Sequence, residues 1–245
     1  KTACKFIPDD STPKKFDFGM TVFTGPSAII DPKTGKVEMF SIMQDQRSPG
    51  EQARSGWAHC VGLTREIYLS DDGQTACIKA LDKLKDYENN TLLENNESLT
   101  IAQANSLLAD IQGDMLHVEV TFKLTDRTAA TKGDGLFGIY LRTAKDKSQY
   151  TEYGYNLKTN SLYVSTGMAG NINKSGTGET GYSIKGDTLK MDFYVDRSLI
   201  EGFFDDTLAG TARSYSKATS NGIQLFGGNG VTVTHLKVAS MKSIY

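Results

Sequence analysis

Residues 115–124 read MLHVEVTFKL, an alternation of apolar and polar side chains that runs the length of the segment. Side chains two residues apart share a face of a pleated strand, so this stretch predicts a strand with one apolar and one polar face. The same alternation recurs further along the chain, at residues 137–141, 162–164, 189–195, 223–225 and 231–233. Many such strands separated by turns predict two antiparallel sheets packed face to face, a β-sandwich with a concanavalin-like strand pattern.

Residues 20–80 carry a second set of strand signals. Apolar runs are separated by turn sequences, among them Asp31-Pro32 with Gly35 and Asp71-Asp72-Gly73. Proline fixes φ and glycine accepts positive φ, so these sequences favour turns between antiparallel strands. The segment therefore predicts about four strands in one meander sheet of the propeller-blade kind.

The rest of the chain has weaker patterns. Residues 86–99 are polar and rich in Asn, which predicts a linker or a long loop. Residues 101–110 fit either a helical turn or an irregular strand, and the local pattern leaves both open. The predicted organisation is all-β, with a partial propeller blade over residues 1–85, a linker over 86–99 and a C-terminal sandwich over 100–245.

Composition excludes several kinds of partner. The 245 residues carry a formal net charge of −2, so no basic surface predicts binding to nucleic acid or to anionic lipid. The apolar runs are too short to span a bilayer. The three cysteines, Cys4, Cys60 and Cys77, are an odd number without metal-binding spacing, so we expect buried or free thiols with at most one bridge.

Two features bear on localisation. The chain begins at Lys1 without a visible signal peptide, so we expect that a segment upstream was removed. Asn89, Asn96 and Asn173 each begin an Asn-x-Ser/Thr sequon. Together these features predict an extracellular or secreted protein.

Four motifs follow one another in order along the chain. They are Asp17-Phe18-Gly19 with Val22-Phe23, Gly56-Trp57-Ala58 with Leu63-Thr64-Arg65-Glu66, Ile111-Gln112-Gly113-Asp114, and Val195-Asp196-Arg197-Ser198-Leu199-Ile200-Glu201-Gly202-Phe203. Over residues 16–245 the chain resembles glycoside hydrolase family 32, the invertases, inulinases and levanases. His59 stands where that family usually has Gly, and Thr64 where it usually has Pro.

The resemblance implies a fold and an activity. The family joins a five-bladed β-propeller, which carries the active site, to a C-terminal β-sandwich, so residues 1–85 would be part of the last blade. The parent enzyme would be a β-fructofuranosidase that hydrolyses sucrose or fructans with retention, using two carboxyl groups about 5–5.5 Å apart. The family's Asn-Asp-Pro, Arg-Asp-Pro and Glu-Cys segments do not occur in this sequence. We therefore expect no catalytic residue here and no activity of the chain alone, with the missing N-terminal propeller fragment as a candidate partner.

The aromatic and charged motif residues have two interpretations each. Phe18 is the candidate substrate-binding residue, because the matching aromatic of the family lines the pocket for the terminal fructosyl unit. Core packing is the alternative, and a short Phe-rich strand favours it. Trp57, the only tryptophan, is expected to pack under the blade rather than to face a sugar. Arg65-Glu66 predicts a paired charge at the blade's outer edge or at its interface with the sandwich.

The remaining polar residues favour structural roles. Asp196 is expected at a hairpin tip, where it accepts backbone N–H groups, and Glu201 is expected to pair with Arg197 or Arg213. The sequence predicts no metal site and no cofactor, because no convergent ligand spacing joins the histidines, His59, His117 and His235.

A second function also fits the sequence. The chain could be a carbohydrate-binding, lectin-like sandwich without hydrolytic activity. The residues that suggest it either form a sugar-binding aromatic strip or pack a sheet edge, and they are Tyr150, Tyr153, Tyr155, Tyr163 and Tyr182.

Overall fold

The computed structural model describes residues 15–243, so Cys4 and the predicted irregular start of the chain lie outside the described residues. The helices are α1 (Pro49–Ser55), α2 (Ile101–Leu108), α3 (Arg127–Thr131) and a 3-10 helix, Asp82–Tyr87. The strands are β1 (Phe23–Ile30), β2 (Val37–Met43), β3 (Cys60–Val61), β4 (Arg65–Leu69), β5 (Ala76–Ala80), β6 (Glu88–Asn95), β7 (Leu99–Thr100), β8 (Met115–Leu124), β9 (Leu136–Thr143), β10 (Thr151–Asn156), β11 (Ser161–Ser165), β12 (Thr177–Gly181), β13 (Thr188–Asp196), β14 (Leu199–Phe204), β15 (Leu208–Arg213), β16 (Gly222–Gly227) and β17 (Val231–Met241).

The strands form three antiparallel sheets in the described part of the chain. The N-terminal sheet has the order β1-β2-β4-β5, with β3 paired to β2. The five-stranded sandwich sheet has the order β12-β11-β10-β9-β16. The seven-stranded sandwich sheet has the order β15-β14-β13-β8-β17-β6, with β7 paired to β17. The prediction of an all-β chain with a two-sheet antiparallel sandwich is therefore confirmed.

The sandwich core lies between its two sheets. On β8, Leu116, Val118, Val120 and Phe122 are buried, as the alternation predicts. They pack in one cluster with the inward side chains of the facing sheet, among them Phe137, Ile139 and Leu141. Full burial of such a side chain contributes about 1.5–3 kcal/mol before conformational entropy is subtracted, so the sandwich has a substantial core of its own.

The predicted linker over residues 86–99 is wrong. Strand β6 occupies most of it and pairs with β17 at the edge of the seven-stranded sheet. The strand is held by backbone hydrogen bonds and leaves most of its side chains exposed. An edge strand of this kind tolerates polar residues, so its composition looks like that of a loop.

Residues 101–110, for which the sequence left two possibilities, begin with a helix. The side chain of Thr100 accepts from the backbone N–H of Gln103, and Gln103 accepts from the N–H of Thr100, which forms a capping box. Helix α2 then buries Ala104 and Leu108 against the sandwich. Among residues 15–243, no helix is both long and apolar enough to cross a membrane.

The N-terminal sheet packs on the outer face of the seven-stranded sheet. Met39 and Ile78 of the N-terminal sheet form a buried cluster with Tyr194, Phe203 and Ala209 of the sandwich. The face of the seven-stranded sheet that the alternation predicts to be polar is therefore covered. This contact places the charged residues of that face inside an interface.

Candidate functional site

Arg65 is the centre of the interface between the N-terminal sheet and the sandwich. It lies on β4 and is fully buried. Its Nη2 donates to Glu201 Oε2 and to Thr211 Oγ1, each at 2.7 Å. Its Nη1 donates to Asp17 Oδ2 at 2.8 Å. One guanidinium thus joins the segment before β1 to strands β14 and β15.

The two carboxylates of this network have further donors. Glu201 Oε1 accepts from the backbone N–H of Leu63 at 2.7 Å. Asp17 Oδ1 accepts from the backbone N–H groups of Gly19 and Thr211, at 2.8 and 2.9 Å. Buried charges are tolerated when they are paired and hydrogen-bonded in this way.

The ionisation of the pair follows from these contacts. Burial acts to lower the pKa of Arg65, but the carboxylates of Glu201 and Asp17 raise it above its ordinary value. The pKa of Glu201 is also raised above its ordinary value. Burial raises it, and this effect is larger than that of the Arg65 cation, which lowers it. We take the pair as charged, because Glu201 accepts two hydrogen bonds from Arg65 and one from the Leu63 amide.

Two glycines, Gly19 of the Asp17-Phe18-Gly19 motif and Gly62, allow the close approach at this interface. A Cβ on Gly19 would lie 1.9 Å from the carbonyl oxygen of Thr211. A Cβ on Gly62 would lie 2.0 Å from the Met43 side chain and 3.1 Å from Glu201 Oε1. Position 19 therefore needs glycine, because backbone atoms of Thr211 would block a Cβ, whereas at position 62 the Met43 side chain would have to shift.

The network corrects the predicted role of Glu201. Its partner is Arg65, not Arg197 or Arg213, and of the two positions expected for Arg65 the interface with the sandwich is the one observed. Asp196 does lie at the β13–β14 hairpin, where its exposed carboxylate is 3.9 Å from Arg197. Asp196 and Glu201 do not pair with each other across the hairpin. Asp196 pairs opposite Leu199, and Glu201 pairs opposite Tyr194. The arrangement fixes the N-terminal sheet to the sandwich.

Arg213 provides a second buried anchor that the sequence analysis missed. Its Nη2 donates to the carbonyl of Met43 at 2.6 Å and its Nε to that of Gln44 at 3.1 Å. Nη2 also lies 3.0 Å from the thiol of Cys60. Cys60 and Cys77 are both free thiols, as expected.

Phe18 lies in the sandwich core. It is buried, and its ring lies 5.3 Å from that of Phe204. A Cβ on Gly210 would lie 2.6 Å from the Phe18 ring, so the ring covers the backbone of β15. In this arrangement Phe18 has the packing role that was the alternative to sugar binding.

The expectation that Trp57 packs under the sheet is wrong. Its side chain is 44% exposed, and the guanidinium of Arg47 lies 4.1 Å from its ring centroid. Arg47 also forms an ion pair with Asp45. Burial acts to raise the pKa of Asp45, but hydrogen bonds from Arg47 and Tyr215 lower it to about 2. The residues next to Trp57 do not predict its contact with Arg47, which lies ten positions earlier in the chain.

His117 is the centre of a charged cluster that its position in the sequence did not predict. Its Nδ1 lies 2.5 Å from Glu88 and its Nε2 2.7 Å from Asp192. Its ring stacks on Tyr194 with centroids 4.3 Å apart. Burial acts to lower the pKa of His117, but the hydrogen bond with Asp192 and the nearby carboxylates raise it above its ordinary value. An imidazole with a carboxylate on each nitrogen is best satisfied when it is protonated.

The same cluster has the ligand types of a metal site. Donor atoms of His117, Glu119 and Asp192 lie within 4.8 Å of one another. However, Lys85 donates to Glu119 at 2.6 Å, and Lys237 donates to Glu88 at 2.6 Å. Three cations therefore balance three carboxylates, and the geometry is that of a closed ionic network.

The tyrosines considered for a sugar-binding strip do not lie on one surface. Tyr153 and Tyr155 are buried in the sandwich core. Tyr182 packs partly against that core and donates to Asp205. Tyr150 instead lies against Tyr140, with ring centroids 4.6 Å apart. The five residues therefore do not form a continuous strip.

Four apolar side chains are exposed on the outer face of the N-terminal sheet, which also carries Glu38. Ile42 pairs opposite Val61, and Phe40 is two residues from Ile42 on the same face. Ile29 joins them because it pairs opposite Glu38, two residues before Phe40. Phe40 is 43% exposed, and the other three are more exposed still. This set of residues, Ile29, Phe40, Ile42 and Val61, is the exposed apolar face of the N-terminal sheet.

The comparisons with known proteins agree with this architecture. The family model described as glycosyl hydrolases family 32 C terminal matches residues 80–240. Fructan 1-exohydrolase IIa from Cichorium intybus superimposes with a TM-score of 0.74 at 17% identity, covering 94% of this chain and 49% of that chain. Exo-inulinase from Aspergillus awamori gives a TM-score of 0.74 at 16% identity, covering 98% of this chain and 46% of that one.

A bacterial structure has the same relation to this chain. Sucrose-6-phosphate hydrolase from Lactobacillus gasseri has a TM-score of 0.72 at 20% identity, with 96% of this chain and 44% of that chain covered. The chain thus spans about half the length of these structures or less. No curated protein matches the sequence.

Proposed function

The chain belongs to glycosyl hydrolase family 32, to its C-terminal part, and we propose that it is the C-terminal portion of a secreted β-fructofuranosidase-type enzyme that hydrolyses sucrose or fructans. Its role there is to support an N-terminal propeller that carries the catalytic carboxylates. The N-terminal sheet would be part of the last blade of that propeller. The half-length match to three enzymes of fructan or sucrose hydrolysis supports the proposal.

The observation that carries the proposal is the exposed apolar face of the N-terminal sheet. The opposite face of the same sheet is buried on the sandwich through Met39, Arg65 and Ile78. A sheet that buries one apolar face and exposes another is suited to lie between two layers. The preceding blade of a propeller is the layer that would cover Ile29, Phe40, Ile42 and Val61.

The polar chemistry of the chain supports a non-catalytic role for it. Asp17 and Glu201 are both bound to Arg65 inside the interface. A retaining hydrolase needs two carboxyl groups that reach the same glycosidic bond. Hydrolysis would then depend on residues supplied by the N-terminal half.

The test is reconstitution. The chain alone should release no fructose from sucrose, inulin or levan. The polypeptide encoded upstream of it should bind the chain and restore hydrolysis. Phe40→Asp should weaken this binding strongly, because it places a charge on the apolar face. Leu107→Asp is the matched control, since Leu107 is also 43% exposed but lies on α2 of the sandwich.

Two results would contradict the proposal. Hydrolysis by the chain alone would place the catalytic groups within it. Equal binding of the Phe40→Asp and Leu107→Asp variants would show that the exposed apolar face is not the contact. Calorimetry of the chain with inulin tests the lectin-like alternative, which requires saturable binding without any upstream polypeptide.

A further inference from the structure

Arg142 lies in a β-bulge between β9 and β16. Gly222 pairs opposite Thr143 and Ile223 opposite Leu141, so Arg142 is the residue without a partner. Its φ is +53°, in the left-handed region that non-glycine residues seldom adopt. A bulge turns the side chain of its extra residue away from the direction that the strand alternation would give it. The bulge therefore sets where the Arg142 guanidinium points.

That guanidinium is buried without adequate compensation. Arg142 is 6% exposed, and its Nε and Nη1 have no hydrogen-bond partner. The only ion pair that the described residues give it is with Asp114 Oδ2, 3.8 Å from Nη1, and the Asp114 side chain is 50% exposed. Burial lowers the pKa of Arg142. A buried cation of this kind is expected to meet an anion or other acceptors.

Two more unpaired polar atoms lie at the same end of the five-stranded sheet. They are Thr151 Oγ1 and Asn221 Oδ1, and both are buried. Thr151 pairs opposite Leu141, the residue before Arg142. Asn221 precedes Gly222, which pairs opposite Thr143, the residue after Arg142. Of the five buried unpaired atoms found in the described residues, four belong to these three residues.

The surface beside these residues is positively charged. A groove of about 530 Å³ runs between the loops that follow β9 and precede β16. Lys145 and Lys217 line it, with Asp146 as the one acidic residue among its lining groups. Two cations against one carboxylate give the groove a net positive charge, which favours an anion. Arg142, Thr151 and Asn221 do not line it, but the lining residues Ala144 and Ser220 are close to Arg142 and Asn221 in the chain.

We propose that Arg142, Thr151 and Asn221 form a binding site for a phosphate group. Guanidinium and hydroxyl groups donate to phosphate oxygens. The acceptor Oδ1 of Asn221 calls for a ligand that also donates, and hydrogen phosphate carries such a hydroxyl whereas sulfate does not. Free phosphate and a phosphate monoester share the oxygens that accept from Arg142 and Thr151, but a monoester, with a second pKa of about 6, carries a phosphate hydroxyl only in its monoanion.

The test is calorimetry and thermal unfolding of the full chain with inorganic phosphate, with fructose 6-phosphate, and with sulfate at equal ionic strength. Inorganic phosphate should bind saturably and raise the Tm, and sulfate should bind at least tenfold more weakly. If the physiological ligand is a monoester, fructose 6-phosphate will bind more tightly than inorganic phosphate. The reverse order identifies free phosphate as the ligand.

Variants locate the site. Arg142→Gln should weaken phosphate binding at least tenfold, and Asp114→Asn should strengthen it severalfold because it removes a nearby negative charge. Arg197→Gln is the matched control, since Arg197 also has a positive φ of 51° but is exposed, and it should bind as the original chain does.

The Asp114→Asn variant keeps the proposal falsifiable if Arg142→Gln does not fold. If Asp114→Asn is less stable in phosphate-free buffer and neither it nor the original chain binds phosphate, Asp114 compensates Arg142 and the proposal is wrong. Unchanged phosphate binding in a folded Arg142→Gln variant would also overturn it.

Discussion

The N-terminal sheet and the sandwich are both antiparallel β-structure, but they bury their apolar residues in different ways. The two sandwich sheets face each other and enclose a common core. The N-terminal sheet has no second sheet of its own among the described residues and buries one face on the sandwich. The sandwich can therefore stabilise itself, whereas the N-terminal sheet depends on its neighbours.

The buried charges differ in the same way. Within the sandwich core the contacts are mainly apolar, but the interface with the N-terminal sheet also contains Arg65 with Asp17 and Glu201. An ion pair of this kind adds geometric specificity that apolar contacts lack. The difference suggests that the network sets how the N-terminal sheet is placed, and a substitution at Glu201 tests this.

The largest effect is expected from Glu201→Gln. Glutamine keeps the size of the side chain but leaves the Arg65 cation with Asp17 as its remaining carboxylate. Removing one partner of a buried pair costs about 3–5 kcal/mol of unfolding free energy. Urea unfolding should be followed by Trp57 fluorescence, which reports on the N-terminal region, and by circular dichroism, which is dominated by the sandwich. The fluorescence transition should shift most.

Asp196→Asn is the control for this change. Asp196 is also a carboxylate of the β13–β14 hairpin, but its side chain is exposed, so the substitution should change stability by no more than about 0.5 kcal/mol. If Glu201→Gln and Asp196→Asn have equal effects, the Arg65 network does not hold the two parts together.

A smaller loss of stability is expected from a substitution on the buried face of the N-terminal sheet, and almost none from one on its exposed face. Met39→Ala removes a side chain that is buried against the sandwich and should cost about 2–5 kcal/mol. Phe40→Ala changes the next residue, which points to the opposite face and is 43% exposed, so the isolated chain should lose no more than about 0.5 kcal/mol. Chemical denaturation of both variants measures the difference. Comparable losses would show that the isolated chain covers both faces.

The sequence predicted what depends on local pattern. The alternation in residues 115–124 was enough to predict β8 and its inward side chains, because a strand buried on one face repeats every two residues. The capping box of Thr100 and Gln103 is also a local signal, because its two side chains are three positions apart. Edge strand β6 lacked such a pattern because most of its side chains are exposed.

Contacts between distant segments could not be predicted in this way. Arg65 and Glu201 are 136 positions apart, so no local spacing connects them. The burial of Arg142 depends on a bulge whose register is set by the pairing of β9 with β16. Trp57 is exposed and contacts Arg47 from another part of the same loop region, which single-residue burial preferences do not predict.

The smallest expected effect concerns the connection between the N-terminal sheet and the sandwich, which is the 3-10 helix together with the start of β6. His117 contacts this connection through a hydrogen bond with Glu88. The other groups around its ring are Asp192, Glu119, Lys85, Lys237 and Tyr194. His117→Gln removes the two hydrogen bonds to carboxylates and should cost about 1.5–3 kcal/mol at pH 6. Urea unfolding of both proteins from pH 5 to pH 9 measures this cost.

The pH dependence of the unfolding free energy shows whether His117 is protonated in the folded chain. Its pKa in the folded chain is raised above 6.5, so its stabilisation is fully present below pH 6.5 and is lost as the pH rises through the folded pKa. The difference between the original chain and His117→Gln should therefore shrink towards pH 9. His235→Gln is the control, because His235 contacts the amide of Asn96 and no carboxylate in the described contacts, so its effect should be nearly constant. A constant difference for His117→Gln as well would mean that the ring is neutral and that it stabilises the chain by packing on Tyr194.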